Sequence, residues 1–235
     1  MQNRCVWEHN GNDSLLYSVD YAGAFTRGES REIALGKMRN EIASYLDWTG
    51  KITAEMVDTT IVQEKESELQ IADADSDVIF DNEKEPLSKE EYLYLKDLAL
   101  KSAGDFHQLY QSIPDKNVSC LPERKTFYGT RPRTAQEMYD HTKNVNAYYF
   151  GEVGINADNE GTIRECRERG FALLEKDWEF LNNPVVEGSY DELWSVRKML
   201  RRFIWHDRIH ARAMYRMAVK TFGADRTGNP FSFIL

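Results

Sequence analysis

Four times after residue 85 a serine or threonine is followed three positions later by glutamate: Ser88 with Glu91, Thr134 with Glu137, Thr162 with Glu165, and Ser189 with Glu192. At a helix start of this kind the hydroxyl accepts the third backbone N–H while the glutamate accepts the cap residue's own N–H, satisfying two otherwise orphaned donors. One such pair is weak evidence. Four, each ahead of an apolar run at helical spacing, constrain this stretch to four helices. The first carries Leu95, Leu98, Ser102, Phe106, Leu109 and Ile113, stopped by Pro114; the third carries Ile163, Cys166, Gly170, Leu174, Trp178 and Leu181, stopped by Pro184. Four helices with one apolar stripe apiece are expected to bury those stripes together as a four-helix bundle.

The residues before them read as a small α/β unit. "SLLYSVDYAGAFTRG" (14–28) is rich in β-branched and aromatic residues and carries Gly23 and Gly28 as bend and turn. Ser30 can cap a helix through Ala34, Met38, Ile42 and Tyr45, with Gly50 as its stop, and Val57, Ile61 and Val62 return to strand composition. The acidic run 72–86, ending in Pro86, has the signature of a linker. The expected chain is therefore α+β: a sheet-plus-helix module at 1–84 followed by an all-α bundle at 85–235.

Charge narrows the function classes. The net charge is −9, and the segment from Gln63 to Glu91 alone holds eleven acids against three lysines. An acidic total argues against general nucleic-acid binding. No apolar run is long enough to cross a bilayer, and the N-terminal residues lack the apolar region of a signal peptide. Three scattered cysteines (Cys5, Cys120, Cys166) suit a reducing compartment and exclude a cysteine-based zinc knuckle. A cytoplasmic protein is expected.

The last helix carries the chemistry. Steps of four and three from Met199 reach Phe203, His206, His210, Ala213 and Met217, so both histidines fall on the inward seam. On the second helix Met138, His141, Val145 and Tyr148 place His141 facing the core as well. Burying a polar group without a partner costs about 1–3 kcal/mol, so three such residues in one core call for compensation. Two readings stand side by side: hydrogen-bonded core histidines, or a three-ligand metal site with one position open to water or substrate. His9 and His107 fit no such pattern and are expected to face solvent or bond locally. Arg202, one turn before His206, is placed to hold an anionic substrate group. Glu137, one turn before His141, is the best-placed carboxylate for orienting a ligand or acting as general base. Arg197, Arg201, Arg208, Arg212 and Arg216 lie along one side of the same helix, where an outer face, solvated or paired to the acidic segment, is expected.

"TAQEMYDHTKNVNAYYFG" (134–151), "YDELWSVRKMLRRFIWHDRIHARAMYR" (190–216) and "DFHQLYQSIPD" (105–115) resemble the DinB-like superfamily over roughly Ser88 to Gly223. That resemblance implies a four-helix bundle with His141, His206 and His210 as ligands of a divalent metal, usually zinc or nickel. Characterised relatives include transferases that activate a low-molecular-weight thiol, maleylpyruvate isomerases and amidase-like hydrolases. A metal-dependent enzyme acting on a small electrophilic substrate, with thiol or water as nucleophile, is what it implies here. The stretch "YSVDYAGAFTRGESREIALGKMRNEIASYLDW" (17–48) resembles a HicB-type module, although Tyr21, Ala22, Gly23 and Ala24 stand where that family has a proline-acid-hydrophobe-glycine turn. No DNA-binding segment accompanies it, so the module is expected to pack on the bundle or to contribute a homodimer contact. The alternative class is a non-catalytic binding or regulatory protein, the module recognising a partner and the bundle serving as scaffold.

Overall fold

The computed structural model describes residues 2–51, 57–71, 75–126 and 129–234. Strands β1 (Gln2–Asn10), β2 (Asp13–Ser18), β3 (Phe25–Gly28) and β4 (Asp58–Glu66) form one sheet in the order β3-β2-β1-β4. β1 and β2 are an antiparallel hairpin with Cys5 opposite Ser18, closed through Gly11 at φ 58°. β4 runs parallel to β1, a pairing that needs a crossover, and helix α1 (Arg31–Trp48) supplies it. Ser30 caps α1 by accepting from Ile33 N–H, and Ala34, Met38, Ile42 and Tyr45 are buried as the spacing predicts.

The sequence reading misses β1, the strand that holds His9. Both faces of β1 are covered, and its interior includes Asn3 and Glu8, which break the apolar alternation. Ser18 donates to Asn3 Oδ1, and Glu8 accepts from the hydroxyls of Tyr17 (2.9 Å) and Ser76 (2.6 Å). Those bonds are what make the burial of the two polar residues tolerable.

The acidic segment is not a solvated linker. Residues 72–74 lie outside the described residues, but Ser76, Val78, Phe80 and Glu83 beyond them are buried. Val78 and Phe80 join Val6, Leu15, Tyr17 and Phe25 from one sheet face and Trp205 and Ile209 from the last helix in a single cluster. Apolar residues hidden among the acids thus clamp the sheet to the helices. The main core likewise runs on across residue 85, from Leu16 and Met38 to Phe106 and Phe203.

Helices α2 (Lys89–Ser112), α3 (Ala135–Glu152), α4 (Ile163–Leu174) and α5 (Val196–Phe222) pack on one another, and no helix among the described residues is long and apolar enough to cross a membrane. The capping boxes at Ser88, Thr134 and Thr162 form as expected. The one at Ser189 does not. Ser189 lies in a 3₁₀ turn, α5 is instead capped by Ser195, and Glu192 pairs with Lys198 at 2.8 Å. Ser195 wins because its buried hydroxyl accepts from Lys198 N–H and also donates to the Glu83 carbonyl at 2.7 Å. Similarly, α4 stops at Leu174, and Trp178 and Leu181 belong to a separate 3₁₀ turn (Trp178–Asn182).

Gly170 explains how closely α4 approaches α3. A Cβ there would sit 2.1 Å from Cε2 of Phe150, a fully buried ring packed against Phe171 and Phe203. Gly170→Ala gains about 1 kcal/mol of helix propensity. Overpacking against a ring that cannot retreat costs about 1–3 kcal/mol. The variant is expected to be less stable by chemical denaturation, reversing the usual glycine-to-alanine gain.

The arginine side of α5 is an interior interface, not an outer face. Nearly the whole circumference of its first half is buried, because the sheet module covers the side turned away from α2–α4. Arg201 pairs with Glu83 of the acidic segment, Arg208 and Arg212 both pair with Glu41 of α1, and Arg197 pairs with Glu91 at 3.0 Å. Arg216 alone of the five is exposed.

Candidate functional site

α5 places His206 and His210 one turn apart on one face, and α3 brings His141 against them. The ring centroids are 4.3 Å apart for His206 and His210, 4.6 Å for His141 and His210, and 5.4 Å for His141 and His206. One potential ligand nitrogen from each ring lies within 4.8 Å of the other two. Among the described residues none of the three imidazoles has a hydrogen-bond partner, and the buried Nδ1 of His206 is unsatisfied. The other two histidines differ. His9 meets Glu64 at 3.0 Å and His107 meets the Tyr139 hydroxyl at 2.9 Å. The core-histidine reading requires bonded rings, so the contrast favours a site built for an external ligand.

His141 reaches the cluster by a different route from the expected one. The buried face of α3 is Met138, Tyr139, Thr142, Asn146, Tyr149 and Phe150, and His141 is an exposed residue beside it. Thr142 and Asn146 face inward, the Thr142 hydroxyl donating to Met138 O and the Asn146 amide N–H to Asp158 O, both at 2.8 Å, while Asn146 Oδ1 has no partner among the described residues. This rotates His141 from the core onto the wall of a cleft.

That cleft, about 1420 Å3, is bounded by α3, α5, residues 121, 122, 124 and 130–133, residues 75–77 and the front module through Phe25, Arg27 and Glu41. The N-terminal module therefore forms one of its walls. Burial, then the neighbouring charges of His210 and His141, holds the His206 pKa well below its ordinary value. Burial followed by His141 does the same for His210, and burial alone lowers His141. All three rings are thus neutral near pH 7, the state in which imidazole binds a metal.

The same shifts set an acid dependence of stability for the metal-free protein. An unfolded histidine protonates near pH 6.5, while the folded rings of His206 and His210 resist protonation until the pH is lower. As pH falls through 6.5 the unfolded state binds more protons, so stability falls with pH, at a slope that approaches about 1.4 kcal/mol per pH unit for each ring. Urea unfolding of chelator-treated protein between pH 7 and 5 is expected to show this slope. Replacing both rings by glutamine should flatten it.

Glu137 is not brought into the cleft. Its carboxylate accepts from the backbone N–H of Arg133 (2.8 Å) and Thr134 (3.1 Å), and those bonds hold its pKa below the usual value. The capping box is thus its role. Arg202 is brought in: it lines the cleft, 8% exposed, with its guanidinium 5.0 Å from the Trp205 ring and 5.4 Å from that of Tyr149. Sequence reasoning passed over those two aromatic walls. It also passed over Asp207, whose neighbour His206 drew attention to the opposite face. Asp207 is fully buried and bound to Arg167 of α4 (2.5 and 3.1 Å) and Ser102 of α2. This pins α5 from behind the histidines.

No protein-family model, no curated protein and no solved structure matches the chain.

Proposed function

We propose that the chain is a metal-binding protein of the DinB-like kind, a metal-dependent enzyme that works on a small electrophilic substrate at His141, His206 and His210. The observation that carries this reading is three neutral imidazoles, without hydrogen-bond partners among the described residues, gathered on the wall of an open cleft. A zinc or nickel ion bound there would supply Lewis-acid chemistry, lowering the pKa of a water or of a low-molecular-weight thiol to make the nucleophile. The chain's own contribution is to hold the rings in place by packing. Tyr149 meets His206 edge-on at 5.8 Å, and Trp205 lies 6.4 Å away. Packed among these aromatics, His206 is only 7% exposed. The HicB-like module, on this reading, serves as a cleft wall and not as a DNA-binding antitoxin.

Elemental analysis of the purified protein tests the reading directly. About one divalent metal per chain is expected, removable by a strong chelator and restored by zinc or nickel. Protein that neither retains nor takes up a metal would overturn it.

A further inference from the structure

Four arginines of this chain are buried, and three of them have a carboxylate: Arg167 has Asp207, Arg201 has Glu83 and Arg208 has Glu41. Arg202 has none among the described residues. Its Nη1 donates to the Ser76 carbonyl at 2.6 Å, and its Nε has no partner. The carboxylates whose fields reach it are engaged elsewhere. Glu192 is taken by Lys198 at 2.8 Å, and Glu8 accepts from Tyr17 and Ser76, while burial raises its pKa toward the neutral form. A guanidinium cannot shed its proton, so a buried one without a counter-ion meets its desolvation cost only with what the Ser76 carbonyl and the faces of Tyr149, Trp194 and Trp205 return.

Arg202 pays that cost on the wall of the same cleft as the histidines, one helical turn from His206. The flanking rings of Tyr149 and Trp205 touch both residues. The cleft as a whole is lined by nine basic and four acidic side chains, although the chain carries a net charge of −9.

We infer that Arg202 is the anchor for a carboxylate group, and that the molecule received in this cleft is a small organic carboxylate with an apolar or aromatic body. The planar guanidinium fork matches a carboxylate in shape and charge. Tyr149 and Trp205, both almost wholly buried, back the guanidinium, and the exposed Tyr148 and Tyr190 on the cleft wall supply surface for the body. That the far end of this molecule then reacts at the histidines rests on the function proposed above; the anion site itself does not.

The test uses benzoate and its neutral counterpart benzamide, titrated calorimetrically into the full chain both as purified and after chelation, with metal content measured on the same samples. Benzoate is expected to bind at least tenfold more tightly than benzamide in both states. Arg202→Gln should abolish that preference while leaving metal content unchanged, and Arg202→Lys, which keeps the charge but not the fork, should retain part of it. Equal binding of the two probes by the wild-type chain overturns the inference, and this comparison decides even where a variant does not fold. So does a preference that survives Arg202→Gln, or one that vanishes on chelation, since the metal would then be the anion's acceptor. A chain that is purified without metal, takes up neither zinc nor nickel, and still prefers benzoate through Arg202 would sink the proposed function and leave the anion site standing.

Discussion

His206→Ala is expected to weaken metal binding by two to three orders of magnitude while leaving the metal-free protein folded. Complete four-ligand zinc sites are worth about 10–16 kcal/mol, so one ligand carries roughly 2.5–4 kcal/mol. At about 1.4 kcal/mol per tenfold this is a loss on the order of 10²–10³ in affinity. The metal-free chain has no hydrogen bond to lose, because among the described residues His206 makes none. A ligand and a core residue therefore behave oppositely. Competition with a chromogenic chelator measures affinity, and unfolding after chelation measures stability. A variant that binds metal like the parent and yet unfolds more readily would return His206 to the role of a packing residue.

Asp207→Asn is expected to be the most destabilising single change in the helical part. The Arg167–Asp207 pair is fully buried on both sides, and Asp207 also accepts from Ser102. Removing one charge leaves the other buried and uncompensated, at about 3–5 kcal/mol. For a chain of this size each kcal/mol lowers Tm by about 2–4 °C, so a drop near 10 °C is expected. The double variant Arg167→Met with Asp207→Leu should recover most of the loss, since an apolar pair of similar volume has no charge to desolvate. If Asp207→Asn costs less than about 1 kcal/mol, the pair does not pin α5 and the histidines are positioned by packing alone.

The capping boxes at Ser88, Thr134 and Thr162 were legible because each is a local exchange of two hydrogen bonds within four residues. Ser189 with Glu192 has the same letters and fails. Ser195, buried and bonded to the Glu83 carbonyl far away in the chain, takes the cap instead. β1 was hidden for a related reason, since the partners that make Asn3 and Glu8 tolerable in its interior come from β2 and from Ser76.

By itself the sequence determined the α+β order, three of the four boxed helix starts, the α1 cap at Ser30 and the seam of α5 that carries His206 and His210. All of these are set by neighbours a few residues apart, through helical periodicity and capping. Only the tertiary structure decided that His141 stands on a cleft wall, that the acidic segment is a clamp, and that the arginines of α5 meet Glu41 and Glu83 inside the molecule. A charged side chain reads the same in a sequence whether water or a carboxylate faces it. Which of the two it meets depends on elements more than a hundred residues away, and for Arg202 it leaves a buried charge without a counter-ion among the described residues, on the wall of the cleft.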